Sequence, residues 1–146
     1  MNEAVVERAC SGYPLAMRIL HAGGAVGDRI ERSLEPVGLS LAKMGVLRHL
    51  SAGDPIPLGQ LAERLSCVRS NVTQLVDRLE ADGLVRRLPD PGDRRSVLAA
   101  ITDEGRRSYE AGARAQAAAE EEILGSLSAE DQERLARLLE RLDAHE

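Results

Sequence analysis

Aromatic residues are nearly absent: the chain has no Phe, no Trp and two Tyr among 146 residues. Its core must come from Leu, Val, Ile and Ala, a composition that suits helices. Cysteine is equally scarce, with Cys10 and Cys67 alone. Two cysteines make no disulfide framework, and this spacing is not that of a metal-ligand set. His21, His49 and His145 do not cluster by spacing either, so no metal is expected. There is no run of about 18 apolar residues, so nothing is expected to span a membrane. The opening MNEAVVERACSGYP brings acids early and no basic stretch leading into an apolar one, so it does not read as a signal peptide. The expectation is a cytoplasmic chain with reduced thiols. A Ser-His-Asp arrangement, a phosphate-binding loop and a poised carboxylate pair are all missing, and the acids fall at helix starts and on outward faces. Neither an enzyme nor a cofactor is expected.

Positive charge is also in deficit, with a net of −5. That argues at first against nucleic acid, but the distribution matters more than the sum. Between Arg64 and Arg95 seven Arg face five acids, a local +2 that leaves −7 on the remainder. An acidic body with a locally basic segment is compatible with DNA binding, and the body would repel DNA from the wrong faces.

What is present is a succession of helical stripes around one mixed segment, in a length that suits a single domain. After Pro14, the residues Leu15, Ile19, Ala22, Val26 and Ile30 recur at three and four, giving a first helix that should stop before Pro36. Gly23, Gly24 and Gly27 interrupt it, each at about 1 kcal/mol relative to Ala. Either the helix kinks there or another group approaches its backbone closely. Ser40 is placed to cap a second helix, Leu41 to Leu50, with Leu41, Met44, Val46 and Leu47 inward. Ile56 can pair as a very short strand, and Pro57 sits near the start of a third helix, Leu58 to Leu65. A fourth helix runs roughly from Arg69 to Asp82, with Val72, Leu75, Val76 and Leu79 as its buried face and Gly83 as its stop. Leu84 to Leu88 and Ser96 to Ile101 read as strands joined by Pro89-Asp90-Pro91-Gly92-Asp93, strong turn chemistry. Thr102 caps a long Ala-rich helix to about Leu124, exposed on much of its surface. Ser128 caps a last helix with Asp131 three residues on and a stripe of Leu135, Leu138, Leu139 and Leu142.

The segment Leu61 to Thr102 thus reads as helix, turn, helix, strand, basic turn, strand. Opposite the buried face of the fourth helix lie Ser70, Gln74 and Asp77, flanked by Asn71, Thr73 and Arg78. Asn71 and Gln74 can read adenine edges in a bidentate way, and Thr73 can touch a thymine methyl. Arg69 and Ser70 stand at the helix N-terminus, where phosphate is welcome. Arg78 can reach a phosphate or a guanine. In the turn, Arg94 and Arg95 suit the minor groove, with Arg95 the stronger choice. Asp93 is expected to order the wing by holding an arginine side chain.

This central segment resembles the MarR family of bacterial transcription regulators. LAERL (Leu61 to Leu65) is similar to the first helix of the family's helix-turn-helix. SNVTQLVDRLEADGLVRR (Ser70 to Arg87) resembles its recognition helix running into the first wing strand. DPGDRRSVLAAITDEG (Asp90 to Gly105) resembles its wing signature through Asp93, Arg95, Ser96, Thr102 and Gly105. Two departures stand out: Val68 where many members have a capping Ser or Thr, and Pro57 where a capping Thr is common.

The resemblance implies a mainly α fold with a small β-hairpin wing. A winged helix-turn-helix would span about 41–102, and terminal dimerisation helices about 14–35 and 103–144. It implies a homodimer on double-stranded, pseudo-palindromic operator DNA, with Leu15, Ile19, Leu135, Leu138, Leu139 and Leu142 in the dimer interface. The plainer alternative is that these stripes fold back on their own chain. Members usually repress genes, and many release DNA when a small aromatic acid binds between the dimer helices and the reading head. Arg18, Arg32, Arg48 and His49 are the candidate carboxylate partners here. Other members respond to cysteine oxidation, which makes Cys67 and Cys10 candidates. The bland reading of Cys67 is a small buried hydrophobe. A winged-helix module that contacts protein is the remaining alternative.

Overall fold

The structure is a computed structural model that describes residues 12–144, so Cys10 and His145 lie outside the described residues. The chain divides into two compact units, Ser33–Ala118 and the terminal segments up to Arg32 and from Ala119 onward. Helix α1 (Leu15–Leu34) leads from the terminal unit into the central one, and Leu34 is fully buried there. A single 3-10 turn over Glu35–Val37 carries Pro36, and Gly38 at φ 72° reverses the chain. Helix α2 (Leu41–Leu50) follows, and the Ser40 hydroxyl accepts the Lys43 N–H at 3.2 Å, as its cap position demands. Met44, Val46 and Leu47 are buried, but Leu41 is 37% exposed, contrary to expectation. It stands in the first turn of the helix and lines a cavity beside Met44 and Gly45.

Ile56–Pro57 form β1, and α3 (Leu58–Arg64) starts directly after it, with Pro57 at the cap. Helix α4 (Arg69–Ala81) buries Val72, Val76 and Leu79, leaves Leu75 half-buried, and ends before Gly83 at φ 76°. The wing strands are β2 (Val85–Pro89) and β3 (Val97–Ile101), each one residue later at its start than the alternation suggests. Leu84 is excluded because its N–H bonds Leu79 O at 2.9 Å and so completes the end of α4. The hairpin is extended by β1 into a three-stranded antiparallel sheet in the order β1-β3-β2, with Ile56 opposite Ala99 and Val85 opposite Ile101. Among the described residues the largest fully buried side chains are all Leu or Val: Leu34, Leu47, Leu50, Leu61, Leu79, Val46, Val72, Val76 and Val85. The aromatic-free core is therefore aliphatic and lies among α2, α3, α4 and the sheet. The architecture is the mainly helical winged helix-turn-helix expected.

Helix α5 (Asp103–Leu124) begins at Thr102, whose hydroxyl accepts the Gly105 N–H at 3.0 Å and donates to Gly83 O at 2.7 Å. One side chain thus caps α5 and ties it to the end of α4. Helix α6 (Ala129–Asp143) is capped by Ser128, which accepts the Asp131 N–H at 3.2 Å. The Gln132 side-chain amide donates to Leu124 O and Leu127 O, closing the α5–α6 turn.

In the terminal unit α1 is continuous through Gly23, Gly24 and Gly27, and a Cβ at any of them would meet nothing within 4 Å. Leu15 and Ile19 of α1 and Leu135, Leu138, Leu139, Arg141 and Leu142 of α6 line an open apolar groove of about 410 Å³. Among the described residues no helix is long and apolar enough to cross a membrane.

Candidate nucleic-acid interface

Helix α4 enters from an extended Val68 that makes no side-chain cap bond, and the Asn71 N–H bonds the Val68 carbonyl at 3.1 Å instead. Arg69, Ser70, Asn71, Gln74 and Arg78 are all exposed along this helix. Thr73 is half-buried, and its hydroxyl donates to Arg69 O at 3.0 Å. That bond engages the hydroxyl within the helix, so the methyl is the group left for an outside contact.

The wing turn is ordered by its own aspartates. Asp90 Oδ1 accepts the Gly92 N–H at 3.0 Å, and Asp93 Oδ1 accepts the backbone N–H of Arg95 at 2.9 Å. This corrects the expectation that Asp93 holds an arginine side chain. A carboxylate two residues ahead of an N–H closes an Asx turn more readily than it reaches a long neighbouring side chain. Arg94 and Arg95 remain exposed at the tip.

Neither the helical periodicity nor the turn chemistry singles out Arg87. From β2 its Nη2 donates to Asp77 Oδ1 at 2.5 Å and Thr73 O at 3.4 Å, and its Nη1 donates to Glu80 Oε1 at 3.1 Å. Its backbone N–H donates to Glu80 Oε2 at 3.0 Å. Partial burial alone lowers the guanidinium pKa, but the bonds and charges of Asp77 and Glu80 outweigh it, and the net direction is up. The only signal in the sequence was an acidic pair three apart on one helix face, facing a basic strand. A second tie, Lys43 Nζ to Asp82 Oδ2 at 2.9 Å, joins α2 to the end of α4.

Leu41, Met44, Gly45, Arg48, Tyr109 and Gln116 line a cavity of about 200 Å³ between α2 and α5 in the central unit. Of the four candidate carboxylate partners, Arg48 stands at this cavity. His49 is half-buried and is not on its wall. Its pKa is lowered first by burial, then by the charges of Arg48 and Arg64. Arg18 and Arg32 are exposed on α1 in the other unit. Cys67 is exposed, not buried, with its thiol 3.3 Å from Leu65 O. Ser66 at φ 51° precedes it in the turn between α3 and α4 and is exposed as well.

The family model described as the MarR family matches residues 39–97. The regulator YkoM of Bacillus subtilis (strain 168), an HTH-type transcriptional regulator, is 33% identical over 144 residues, 99% of this chain and 92% of that one. The transcriptional repressor Rv2887 of Mycobacterium tuberculosis is 28% identical over 129 residues, 88% of this chain and 93% of that one. A cysteine-to-serine mutant of MarR from E. coli, solved in complex with operator DNA, is similar in structure with a TM-score of 0.80 at 26% identity, covering 91% of this chain and 96% of that one. With these likenesses over nearly the whole chain, and with the exposed helix and wing they accompany, the chain belongs to the MarR family of DNA-binding transcriptional regulators.

Proposed function

We propose that the chain is a homodimeric repressor of a roughly palindromic operator. Two copies of α4 enter successive major grooves, and Arg95 of each wing enters the flanking minor groove. Residues 14–35 and 103–144 are the dimerisation helices in this reading, and the apolar groove with Leu15, Ile19, Leu135, Leu138, Leu139 and Leu142 is the surface that a second copy covers. The observation that carries the proposal is the exposed set Asn71, Gln74 and Arg78 on one helix, beside exposed Arg94 and Arg95 on a turn with ordered backbone. The operator complex of the E. coli MarR mutant and the repressor naming of the mycobacterial relative support it. In this reading the protein acts on operator DNA in the cytoplasm.

The effector in this reading is a small aromatic acid. The cavity beside Arg48, Tyr109 and Gln116 offers one cation, one phenol and one amide against Leu41 and Met44. That set suits a carboxylate on a flat apolar body. A second reading is favoured by the exposed thiol of Cys67, which sits at the entrance of α4 and would convert oxidation directly into a change at the reading helix.

The test is a gel shift of the full chain against the region upstream of its own gene, repeated with aromatic acids and with peroxide. Retardation relieved by an aromatic acid supports the first reading. Relief by peroxide that Cys67→Ser abolishes supports the second. Failure to retard any duplex would leave a protein-contacting winged helix as the better account.

A further inference from the structure

Asp77 lies three residues beyond Gln74 on α4, and Glu80 three residues beyond that, so a line of carboxylates continues the face that offers Gln74 to a duplex. Bare carboxylates there oppose a polyanion. Both are held by one cation that comes from a different element. Arg87 is 26% exposed in its side chain, whereas Arg69, Arg78, Arg94 and Arg95 are all exposed. Its two terminal nitrogens are engaged by Asp77, Glu80 and Thr73 O, and its own N–H is engaged by the second oxygen of Glu80. Three of its five N–H donors are thus committed within the protein, which leaves this guanidinium with less to offer a phosphate than the exposed arginines have. Ion pairs at a surface add little to stability, so these bonds matter for geometry. Arg87 sits opposite Ala99 at the centre of the five-residue β2–β3 ladder, and the ladder runs from there to the turn that carries Arg94 and Arg95.

We infer that Arg87 is a positioning residue for specific DNA recognition: it masks the carboxylates of Asp77 and Glu80 and sets the angle between α4 and the wing, so that Gln74 and Arg95 address one duplex together. This rests on the DNA reading above and names how that site is held. Arg87 acts through Gln74 and Arg95, not by touching DNA.

The experiment compares full-length variants by fluorescence anisotropy on the upstream duplex and on a scrambled duplex over a salt series, with amide hydrogen exchange of the DNA-free protein alongside. Arg87→Lys keeps the charge but loses the fork. It should lower operator affinity by about tenfold or more, leave affinity for the scrambled duplex and the salt slope unchanged, and speed exchange in the wing but not in α2. Asp77→Asn and Glu80→Gln each remove a negative charge near the duplex. Each should nevertheless weaken operator binding while tightening binding to the scrambled duplex.

The inference is overturned if Arg87→Lys keeps operator affinity within about twofold. It is also overturned if Arg87→Met lowers the salt slope by about 0.9, the signature of a lost phosphate contact. Tightening of both duplexes alike by Asp77→Asn and Glu80→Gln counts against it in the same way. Should the wild type prefer no duplex, the DNA reading fails by itself. The exchange data then decide the clasp, and unchanged exchange in the wing of Arg87→Lys refutes it.

Discussion

Gly105 packs its α-carbon against the backbone of Leu84. A Cβ built there would overlap the Leu84 carbonyl oxygen and stand 2.8 Å from Ile101 Cγ1 and 3.0 Å from the Leu84 carbonyl carbon. The same Leu84 carbonyl accepts the Thr102 N–H at 3.0 Å, so it cannot move aside without breaking the junction between α4 and α5. Gly105→Ala should therefore cost about 2–3 kcal/mol of stability, by overpacking against backbone. Gly112 makes the instructive contrast. A Cβ there would meet Met44 Sδ at 2.5 Å and Leu39 Cδ1 at 2.9 Å, both on side chains that can turn. Gly112→Ala should cost about 1 kcal/mol. Urea unfolding of the two variants checks the order, and a cost for Gly112→Ala at or above that for Gly105→Ala would contradict it.

Arg95 and Gln74 should fail in different ways. Arg95→Ala should weaken binding to every duplex and reduce the slope of log affinity against log salt by about 0.9. Gln74→Ala should cost about 1–3 kcal/mol against one base pair of the operator and leave the salt slope intact. A panel of single-base operator variants titrated at several salt concentrations separates the two. If both substitutions leave the panel unchanged, α4 and the wing do not read DNA in the way proposed.

The apolar groove gives a prediction about assembly. Leu138 is 49% exposed in the single chain and lines the groove with Leu135, Leu139 and Leu142. Leu138→Glu should convert a dimer into a monomer in light scattering, because stripping water from a carboxylate in a largely apolar interface is costly. Affinity for a palindrome should then fall by about a hundredfold, as two linked contacts become one. A Leu138→Glu protein that still scatters as a dimer places the interface elsewhere.

His49 makes stability depend on pH. Its pKa in the folded chain lies below 6.5, by burial first and then by the charges of Arg48 and Arg64. Above that value the imidazole is neutral in both states and its contribution is fully present. As the pH falls through 6.5 towards the folded pKa, the unfolded chain takes up the proton first, and the contribution is lost. His49→Gln should flatten this acid limb of the curve of unfolding midpoint against pH. Parallel curves for the two proteins would show that the imidazole is hydrated as freely in the folded state as in the unfolded.

Much of the fold was legible because its signals are local. Ser40, Thr102 and Ser128 cap the helices they precede, and each hydroxyl accepts an N–H three residues on. Val72, Val76 and Leu79 face inward as their spacing requires, and Gly83 takes the left-handed conformation that ends α4. The exposure of Arg69, Asn71, Gln74, Arg78 and Arg95 follows from the same periodicity and from turn chemistry. Cys67 went the other way. Composition favours a buried thiol, but its position in a turn between two short helices puts it at the surface.

The sequence by itself determined the order of the elements, their caps and stops, and which face of α4 is polar. Hydrophobic period and capping act within three or four residues, and no tertiary information is needed to read them. The tertiary structure decided which partners those elements bring to one another. Asp77 meets Arg87 ten residues away, and Lys43 meets Asp82 thirty-nine residues away, only because β2 and α2 pack beside α4. Gly105 is required only because α5 starts against Leu84. Such pairs depend on the approach of whole elements, an outcome of the packed aliphatic core rather than of local spacing.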